Sequence, residues 1–322
     1  MMKKLLSLAL FCITFVSAAA ADLAQQIEMM KKQVAPNTIM YKDENNWLYS
    51  KNELEHLAKG ELANGKIIAV SASRKPGNAN PVPALKAFHN DLAALGIKLI
   101  LLPVPPKLAA VPCRDLKEND AMCYLKPFYQ ELRSAGLTVL DISEQFNENS
   151  TRYYCRTDAH WSPAGIALAV QMLVKEIPLK GNTAFPATRM QQKISGDLAR
   201  SLNAGTPETE EITMDTVPQT AIDANSPVLL IGDSHTLIFS VGADMLAENA
   251  GLAETLAAKL NTPIDRIGVR GSAATAVRIN LFRKAAKDPA WLKNKKYVIY
   301  CFSCREFTEA ISGWAKIPVL KK

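Results

Sequence analysis

The sequence predicts an α/β protein whose central sheet is mostly parallel and covered by helices. Six short segments are rich in Ile, Val and Leu without polar alternation, which is typical of strands buried on both faces. Helical patterns separate most of them, and such strand–helix alternation favours parallel pairing through crossover helices. Of the 322 residues, 48% are hydrophobic and 21% charged, which excludes collagen-like, disordered and small disulfide-scaffold proteins. The mean hydropathy of -0.02 excludes a multi-span membrane protein.

The predicted elements follow one another along the chain. A polar helix is predicted over 23–33, and strands are predicted at 66–70, 97–103, 137–142, 228–231, 266–269 and 297–302. Apolar residues recur at helical spacing at Leu85, Phe88, Leu92 and Leu95, and again at Ile166, Val170, Leu173 and Ile177. Further helices are predicted over 127–135, 237–250 and 274–286. Residues 180–226 are polar with little periodicity, and we interpret them as an insertion rather than a second domain.

The first residues have the three parts of a secretory signal peptide. Two lysines precede an apolar run over residues 5–16, and small residues follow it. The run is shorter than the roughly 20 residues of a spanning helix, so we expect cleavage between Ala18 and Ala21 rather than anchoring. The chain is therefore expected to consist of a signal peptide, 1–21, and one exported domain, 22–322. The formal charge falls from +7 to +5, because the removed segment contains two lysines and no acidic residue.

Cleavage also removes Cys12 and leaves five cysteines, an odd number. Cys113 and Cys123 flank a short polar loop and could form a disulfide in an oxidising compartment. Cys301 and Cys304 have the spacing of a metal or redox pair, but the sequence has no second pair at zinc spacing. Burial at the end of an apolar strand is the favoured interpretation of this pair.

The first candidate for chemistry is Gly-Asp-Ser-His at residues 232–235, which follows a buried strand and precedes a predicted helix. Glycine permits the tight turn. A helix N-terminus favours the negative charge that develops when Ser234 attacks a carbonyl group. In parallel sheets ligands bind at the carboxyl ends of strands, where this serine falls. The alternative is a serine that only caps its helix.

The second candidate is Asp-x-His-Trp-Ser-Pro at residues 158–163, in which Ser162 and Pro163 are predicted to begin a helix. A carboxylate beside a histidine fixes the tautomer of the imidazole and stabilises the imidazolium that forms when it takes a proton. Two alternatives remain open. One is a structural Asp–His hydrogen bond, and the other is a metal site to which Asp233 and His235 add ligands.

Together, the two motifs resemble the SGNH hydrolase superfamily, and more closely its alginate O-acetyltransferase branch of the AlgJ and AlgX type, in which the Asp–His segment precedes the serine. Three other segments are similar to parts of that branch: residues 46–49 (Asn-Trp-Leu-Tyr), residues 94–107, and residues 196–198 (Gly-Asp-Leu). The resemblance extends from about Trp47 onward. It implies a three-layer α/β/α fold with this permuted order of motifs.

The resemblance also implies roles for individual residues. Ser234 is the expected nucleophile, His160 the base, and Asp158 the group that orients the histidine. The backbone N–H groups of Gly271 and Ser234 are the expected oxyanion donors. The Asp-x-His spacing is that of the acetyltransferases, whereas ordinary SGNH esterases have Asp-x-x-His.

One part of the usual pattern is missing, because the asparagine that supplies a further oxyanion donor has no counterpart here. Ser303 or Arg305 could replace it. Residues close to the motifs are candidates for binding an anionic polysaccharide or the donor carbonyl group: Arg305, Arg270, Arg156, Trp161, His235 and Lys107. Solvated salt bridges are the alternative for the basic ones. No metal ion and no cofactor is expected.

The resemblance implies an exported, periplasmic O-acetyltransferase that modifies a polysaccharide through an acyl-enzyme. Acetyl-CoA is not expected outside the cytoplasm, so the expected donor partner is a membrane-bound O-acyltransferase. A nucleic-acid partner is not expected, since the chain lacks basic residues interleaved with aromatic ones. One alternative is a carbohydrate esterase, in which water takes the acyl group. The other is a non-catalytic polysaccharide-binding or secretion scaffold, against which the intact Ser234, His160 and Asp158 argue.

Overall fold

The computed structural model describes residues 25, 27–32, 40–43, 45–110, 124–147, 150–202 and 205–321. The predicted signal peptide and both cysteines of the predicted disulfide, Cys113 and Cys123, lie outside these ranges. The strands are β1 Met40–Lys42, β2 Leu48–Ser50, β3 Lys98–Val104, β4 Thr138–Val139, β5 Thr188–Ile194, β6 Glu210–Thr216, β7 Val228–Gly232, β8 Asp265–Gly268 and β9 Tyr297–Ser303.

Helices account for most of the remaining regular structure. The α-helices are Lys51–Leu57, Lys66–Val70, Pro81–Ala93, Lys107–Ala110, Lys126–Ser134, Ser143–Asn147, Ser150–Tyr153, Pro163–Glu176, Asp197–Arg200, Leu252–Leu260, Ala276–Lys287, Pro289–Lys293 and Glu306–Glu309. Residues 27–32 are also helical. Short 3₁₀ turns are formed by Pro76–Asn78, Gln219–Ala221, Ser234–Thr236 and Ala243–Met245. Within the described ranges, no helix is both long enough and apolar enough to cross a membrane.

The centre of the molecule is a five-stranded parallel sheet in the order β4–β3–β9–β7–β8. The central strand β9 pairs with β3 on one side and β7 on the other, so that Ile299 lies opposite both Ile100 and Leu230. Every residue of β7 is buried. Since successive side chains point to opposite faces, both faces of the sheet are covered. The predicted α/β class with a parallel sheet is confirmed.

Apolar helix faces form the layers that cover the sheet. Phe88, on helix Pro81–Ala93, packs against Tyr300 of β9 with ring centroids 6.1 Å apart. Helix Pro163–Glu176 buries the predicted apolar stripe of Ile166, Val170 and Leu173 and packs against helix Leu252–Leu260. The helices predicted over 127–135 and 274–286 are confirmed within two residues at each end.

The strand predicted at 66–70 is wrong, because this segment is the helix Lys66–Val70. Only Ile67 is buried in it, and Ile68 is 52% exposed. A strand buried on both faces would bury both residues, so a short apolar run alone did not distinguish the two structures. The strand predicted at 137–142 is present but reduced to Thr138–Val139.

The helix predicted over 237–250 is also wrong. In its place the chain forms irregular turns and the 3₁₀ turn Ala243–Met245. Phe239 and Leu246 have φ angles of 58° and 72°, in the left-handed region, which interrupts a right-handed helix. Burial of Phe239 in the core stabilises this irregular path against the local helical pattern.

The polar segment 180–226 contains more regular structure than its pattern indicated. Strands β5 and β6 form an antiparallel hairpin in which Met190 pairs with Met214. Most of β5 is exposed, as its polar composition requires. The segment that joins the two strands contains the short helix Asp197–Arg200, which packs near β2. This segment places the carboxylate of Asp197 close to Asp158.

Candidate active site

Ser234 lies just beyond the carboxyl end of the buried strand β7, in a turn that is fixed to the neighbouring strand. A Cβ atom at Gly232 would overlap the carbonyl oxygen of Cys301 in β9, so only glycine fits there. One carboxylate oxygen of Asp233 accepts the backbone N–H of His235 over 2.8 Å. The other accepts the backbone N–H of Ser303 over 2.7 Å. The turn therefore holds Ser234 in one position relative to the sheet.

The predicted helix N-terminus behind this serine is replaced by the single 3₁₀ turn Ser234–Thr236. A helix this short has no macrodipole of consequence, so the predicted stabilisation of the oxyanion by a helix dipole is wrong. The candidate oxyanion donor that this turn still provides is the backbone N–H of Ser234. Within the described ranges, neither this N–H nor that of Gly271 donates to another protein group. Gly271 lines the same cavity as Ser234 and has φ of +79°, which favours glycine.

Asp158 and His160 lie on the loop that leads into helix Pro163–Glu176, as predicted. Ser162 caps that helix and accepts the backbone N–H of Gly165 over 3.3 Å. Asp158 Oδ1 accepts the backbone N–H of His160 over 2.9 Å and lies 2.6 Å from its Nδ1 atom. The same carboxylate oxygen thus holds both the main chain and the imidazole ring.

The structure brings this loop against the serine turn from 74 residues away. His160 Nε2 lies 2.6 Å from Ser234 Oγ. With the Nδ1 proton donated to Asp158, Nε2 is the atom that accepts a hydrogen bond from the serine hydroxyl. A serine hydroxyl on a carboxylate-backed imidazole is arranged for transfer of its proton to Nε2.

Electrostatics within this group stabilise the ion pair that forms when His160 takes a proton. Burial would raise the pKa of Asp158, but the adjacent His160 and several backbone N–H donors hold it well below its usual value. Burial would lower the pKa of His160, and the Asp158 carboxylate more than compensates and raises it. Asp158 is therefore ionised at neutral pH and stabilises a protonated His160.

Asp197 belongs to this group too, and sequence reasoning assigned it no role although Gly-Asp-Leu was noted as a motif. Its backbone N–H donates to Asp158 Oδ2 over 2.8 Å, and its Oδ1 accepts the N–H of Ala159 over 2.8 Å. A Cβ atom at Gly196 would overlap the backbone of Thr157, so glycine allows this close approach. Burial raises the pKa of Asp197, and the neighbouring Asp158 carboxylate adds to the effect.

Lys107, predicted to bind substrate, lies instead behind the loop. Its side chain is fully buried. Its ammonium group donates to three backbone carbonyl oxygens, those of Leu48 at 2.5 Å, Arg156 at 3.1 Å and Asp158 at 2.8 Å. Burial lowers the pKa of Lys107 to about 8. Because all three N–H bonds are used inside the protein, this side chain supports the loop and does not face the cavity.

A cavity of about 270 Å³ opens in front of the serine. The predicted site residues that line it are Ser234, His160, His235, Gly271, Arg270 and Arg305. Asp158 and Trp161 lie behind His160 and His235 respectively, and both are buried. Arg156 is engaged with Glu208 at 2.7 Å, away from this cavity.

The two arginines at the cavity differ in their partners. Arg270 is exposed and makes two hydrogen bonds to the carboxylate of Asp244, at 2.9 and 2.7 Å. Within the described part of the chain, Arg305 has no carboxylate at ion-pair distance. Its charge still interacts electrostatically with Glu53 over a longer distance. Burial raises the pKa of Glu53, which also lines the cavity, to about 7. Ser303 lines the cavity as well, but its N–H is bound to Asp233.

Ligand-type atoms of Asp158, His160 and Asp197 lie within 4.8 Å of one another. Each is already used within the site: His160 contacts Asp158 and Ser234, and Asp158 accepts the N–H of Asp197. Asp233 and His235, considered above as further metal ligands, form a separate hydrogen-bonded pair. The arrangement therefore suits proton transfer better than metal binding.

A parallel sheet with an Asp–His pair set against a Gly-Asp-Ser turn at its carboxyl edge defines an SGNH hydrolase-like protein. The family described as the SGNH hydrolase-like domain of the acetyltransferase AlgX matches residues 41–299. The chain therefore belongs to this family. It is 24% identical over 230 residues to the probable alginate O-acetylase AlgJ of Pseudomonas syringae pv. tomato. That match covers 66% of this chain and 54% of AlgJ, so the chain spans about half the length of this curated relative.

Two solved structures share the fold. The O-acetyltransferase domain of Pseudomonas putida AlgJ has a TM-score of 0.62 and 17% identity, covering 84% of this chain and 92% of that one. Pseudomonas aeruginosa AlgX has a TM-score of 0.59 and 16% identity, covering 83% of this chain and 62% of that one. At these identities the likeness shows the SGNH-like fold and nothing about the substrate.

Proposed function

We propose that this protein is an exported O-acetyltransferase that acetylates hydroxyl groups of a polysaccharide through an acyl-enzyme on Ser234. The observation that carries the proposal is the 2.6 Å contact between His160 Nε2 and Ser234 Oγ at the wall of a cavity. Membership of an acetyltransferase family supports acyl transfer. The relative named as a probable alginate O-acetylase supports a polysaccharide acceptor such as alginate.

In the first half-reaction, Ser234 Oγ attacks the carbonyl carbon of an acetyl donor while His160 Nε2 takes the hydroxyl proton. The ionised Asp158 stabilises the imidazolium. The N–H groups of Ser234 and Gly271 are available to the oxyanion of the tetrahedral intermediate. Of the two arginines at the cavity, Arg270 is paired with Asp244, so Arg305 is the cation more available to the substrate. The bond between the acetyl carbon and the leaving group then breaks, and the leaving group takes the proton from His160.

In the second half-reaction, an acceptor hydroxyl gives its proton to His160 Nε2 and attacks the acetyl carbon. The bond between that carbon and Ser234 Oγ breaks, and Oγ recovers the proton from His160. Water in place of the sugar would give acetate and an esterase. The two activities use the same residues and differ only in which hydroxyl occupies the cavity.

The proposed setting is the periplasm, with residues 1–21 as the export signal and 22–322 as the domain that acts there. The charged start, apolar run and small-residue end of residues 1–21 support export. Since acetyl-CoA is not expected in that compartment, a membrane-bound O-acyltransferase is the proposed donor partner. This protein would then act as the second carrier of the acetyl group.

The test is a transfer assay with p-nitrophenyl acetate as donor and an alginate hexasaccharide as acceptor, read by mass spectrometry. We expect acetylated hexasaccharide with the wild type and none with Ser234→Ala. Ser312→Ala, at an exposed position, is the matched control and should behave as wild type. Acetate release without acetylated sugar would contradict the transferase and favour the esterase. Equal activity of Ser234→Ala and the wild type would contradict the catalytic site itself.

A further inference from the structure

The site contains two Asp–His pairs of the same local construction, of which the proposed mechanism uses one. Asp233 Oδ1 accepts the backbone N–H of His235 over 2.8 Å and lies 2.9 Å from its Nδ1 atom. Asp158 and His160 show the same two contacts, at 2.9 and 2.6 Å. Both pairs have Asp-x-His spacing, and Ser234 lies between Asp233 and His235. The chain therefore places a second carboxylate-backed imidazole beside its nucleophile.

The second imidazole faces the cavity. His235 is only 5% exposed, yet it is among the residues that line this space. Its ring lies edge-on to that of His160, with centroids 4.8 Å apart, and to that of Trp161 at 5.6 Å. In the described part of the chain, His235 Nε2 has no hydrogen-bond partner, whereas Nδ1 is held by Asp233.

The protonation state of His235 follows from its surroundings. Burial lowers its pKa, which the Asp233 carboxylate opposes and the nearby charges of His160 and Arg305 reinforce. The ring is therefore neutral at pH 7, with its proton on Nδ1 toward Asp233. His235 Nε2 then presents a lone pair to the cavity and can only accept a hydrogen bond.

We propose that His235 Nε2 accepts a hydrogen bond from a second hydroxyl of the acceptor, next to the hydroxyl that attacks the acyl-enzyme. This inference rests on the proposed function and adds the class of acceptor, a vicinal diol, to it. His160 Nε2 takes the proton of the attacking hydroxyl and returns it to Ser234 Oγ as the acetyl group moves. His235 undergoes no proton transfer and acts by orienting the acceptor.

The arrangement would select sugar over water. Sugars present neighbouring hydroxyl groups, and two imidazole acceptors on adjoining rings match two such groups on one molecule. A water molecule has a single oxygen atom, so it cannot place a second hydroxyl group at His235 while that oxygen attacks the acyl carbon. A diol gains this additional hydrogen bond, which holds its attacking hydroxyl in place. One hydrogen bond of this kind corresponds to roughly a tenfold preference.

The test compares propane-1,2-diol with propan-1-ol as acceptors, using p-nitrophenyl acetate as donor and chromatography of the acetylated products. The measured quantity is the ratio of transfer to hydrolysis, which does not depend on how much enzyme is folded or how fast it is acylated. We expect the wild type to give a ratio about tenfold higher with the diol. In His235→Phe, which keeps a ring against His160 but has no acceptor nitrogen, that preference should vanish.

Two further variants complete the design. His235→Gln retains an acceptor atom and should retain part of the preference for the diol. His89→Phe, on helix Pro81–Ala93 and outside the cavity, should keep all of it. A diol preference that persists in His235→Phe would overturn this inference and leave the proposed function standing. A wild type that releases acetate but acetylates neither alcohol nor alginate hexasaccharide would overturn both.

Discussion

The ammonium group of Lys107 lies 2.8 Å from the backbone carbonyl oxygen of Asp158, so a buried lysine fixes the loop that carries Asp158 and His160. Lys107 follows β3 by three residues, and its other acceptors are Leu48, in β2, and Arg156, on the same loop as Asp158. Its Nζ atom also lies 5.2 Å from the ring centroid of Trp47. One side chain thus joins three separate parts of the chain at the edge of the site.

Lys107→Met should destabilise the protein, because it leaves three buried carbonyl oxygens without a donor. We expect the free energy of unfolding in urea to fall by about 3 kcal/mol. Lys98→Met is the matched control: Lys98 is 42% exposed and pairs with Glu176, so its loss should cost less than about 0.5 kcal/mol. Equal losses of unfolding free energy in the two variants would show that the buried contacts of Lys107 stabilise the protein no more than an exposed ion pair does.

Asp158→Asn should lower the rate of acylation about 10⁴-fold, the loss typical when the aspartate of such a triad becomes an amide. The pKa of His160 is raised above 6.5 by Asp158, so the wild-type rate should fall as the pH decreases through a value above 6.5. Without the carboxylate, that acid limb should move to lower pH.

The measurement is kcat/KM with p-nitrophenyl acetate across the pH range. Asp215→Asn is the control, since Asp215 is half exposed and pairs with Arg189 on the hairpin. Its profile should match the wild type. An acid limb that stays in place in Asp158→Asn would mean that this carboxylate does not set the pKa of His160.

Asp197→Ala should lower kcat/KM for p-nitrophenyl acetate about 10- to 100-fold, because a hydrogen bond to a carboxylate contributes roughly 1.5–3 kcal/mol and this one positions the loop of His160. It removes the acceptor of the Ala159 N–H, which lies between Asp158 and His160. Asp197→Asn keeps an oxygen for that bond and should lose less. If both variants lose the same amount, the charge rather than the hydrogen bond is what matters.

Gly232→Ala should destabilise the fold by about 3 kcal/mol, because the methyl group added at the end of β7 would overlap the carbonyl oxygen of Cys301 in β9. Gly77→Ala is the control, since nothing lies within 4 Å of a Cβ atom there. Thermal unfolding of the two variants would check this. A Gly232→Ala protein as stable as wild type would mean that β7 and β9 can separate without cost.

The central strands of the sheet were the most predictable elements. The reason is that β3, β7 and β9 are buried on both faces, so their apolar runs are uninterrupted. Prediction from the sequence failed where tertiary packing overrides local pattern. Residues 237–250 have a helical pattern, but burial of Phe239 in a left-handed conformation imposes a different path. Lys66–Val70 has the composition of a strand but is a helix that buries only Ile67.

For the site, local motifs were informative and partners distant in sequence were not. Asp158 and His160 are two residues apart, so their contact follows from the motif. The charge of Lys107 suggested an exposed side chain that binds substrate. Its actual position depends on tertiary contacts, because its ammonium group binds carbonyl oxygens of β2 and of the Asp158 loop, which are both distant in sequence. Asp197 comes from a polar segment without periodicity, and only the fold carries it to Asp158.

The most direct test of the proposed mechanism is to trap the acyl-enzyme. The protein is mixed with p-nitrophenyl acetate, quenched in acid, digested, and mapped by mass spectrometry, with and without a chase of alginate hexasaccharide before the quench. We expect one acetyl group on Ser234 that disappears in the chase as acetylated hexasaccharide forms. Acetylation at another residue, or an acetyl group on Ser234 that the sugar does not discharge, would contradict this mechanism.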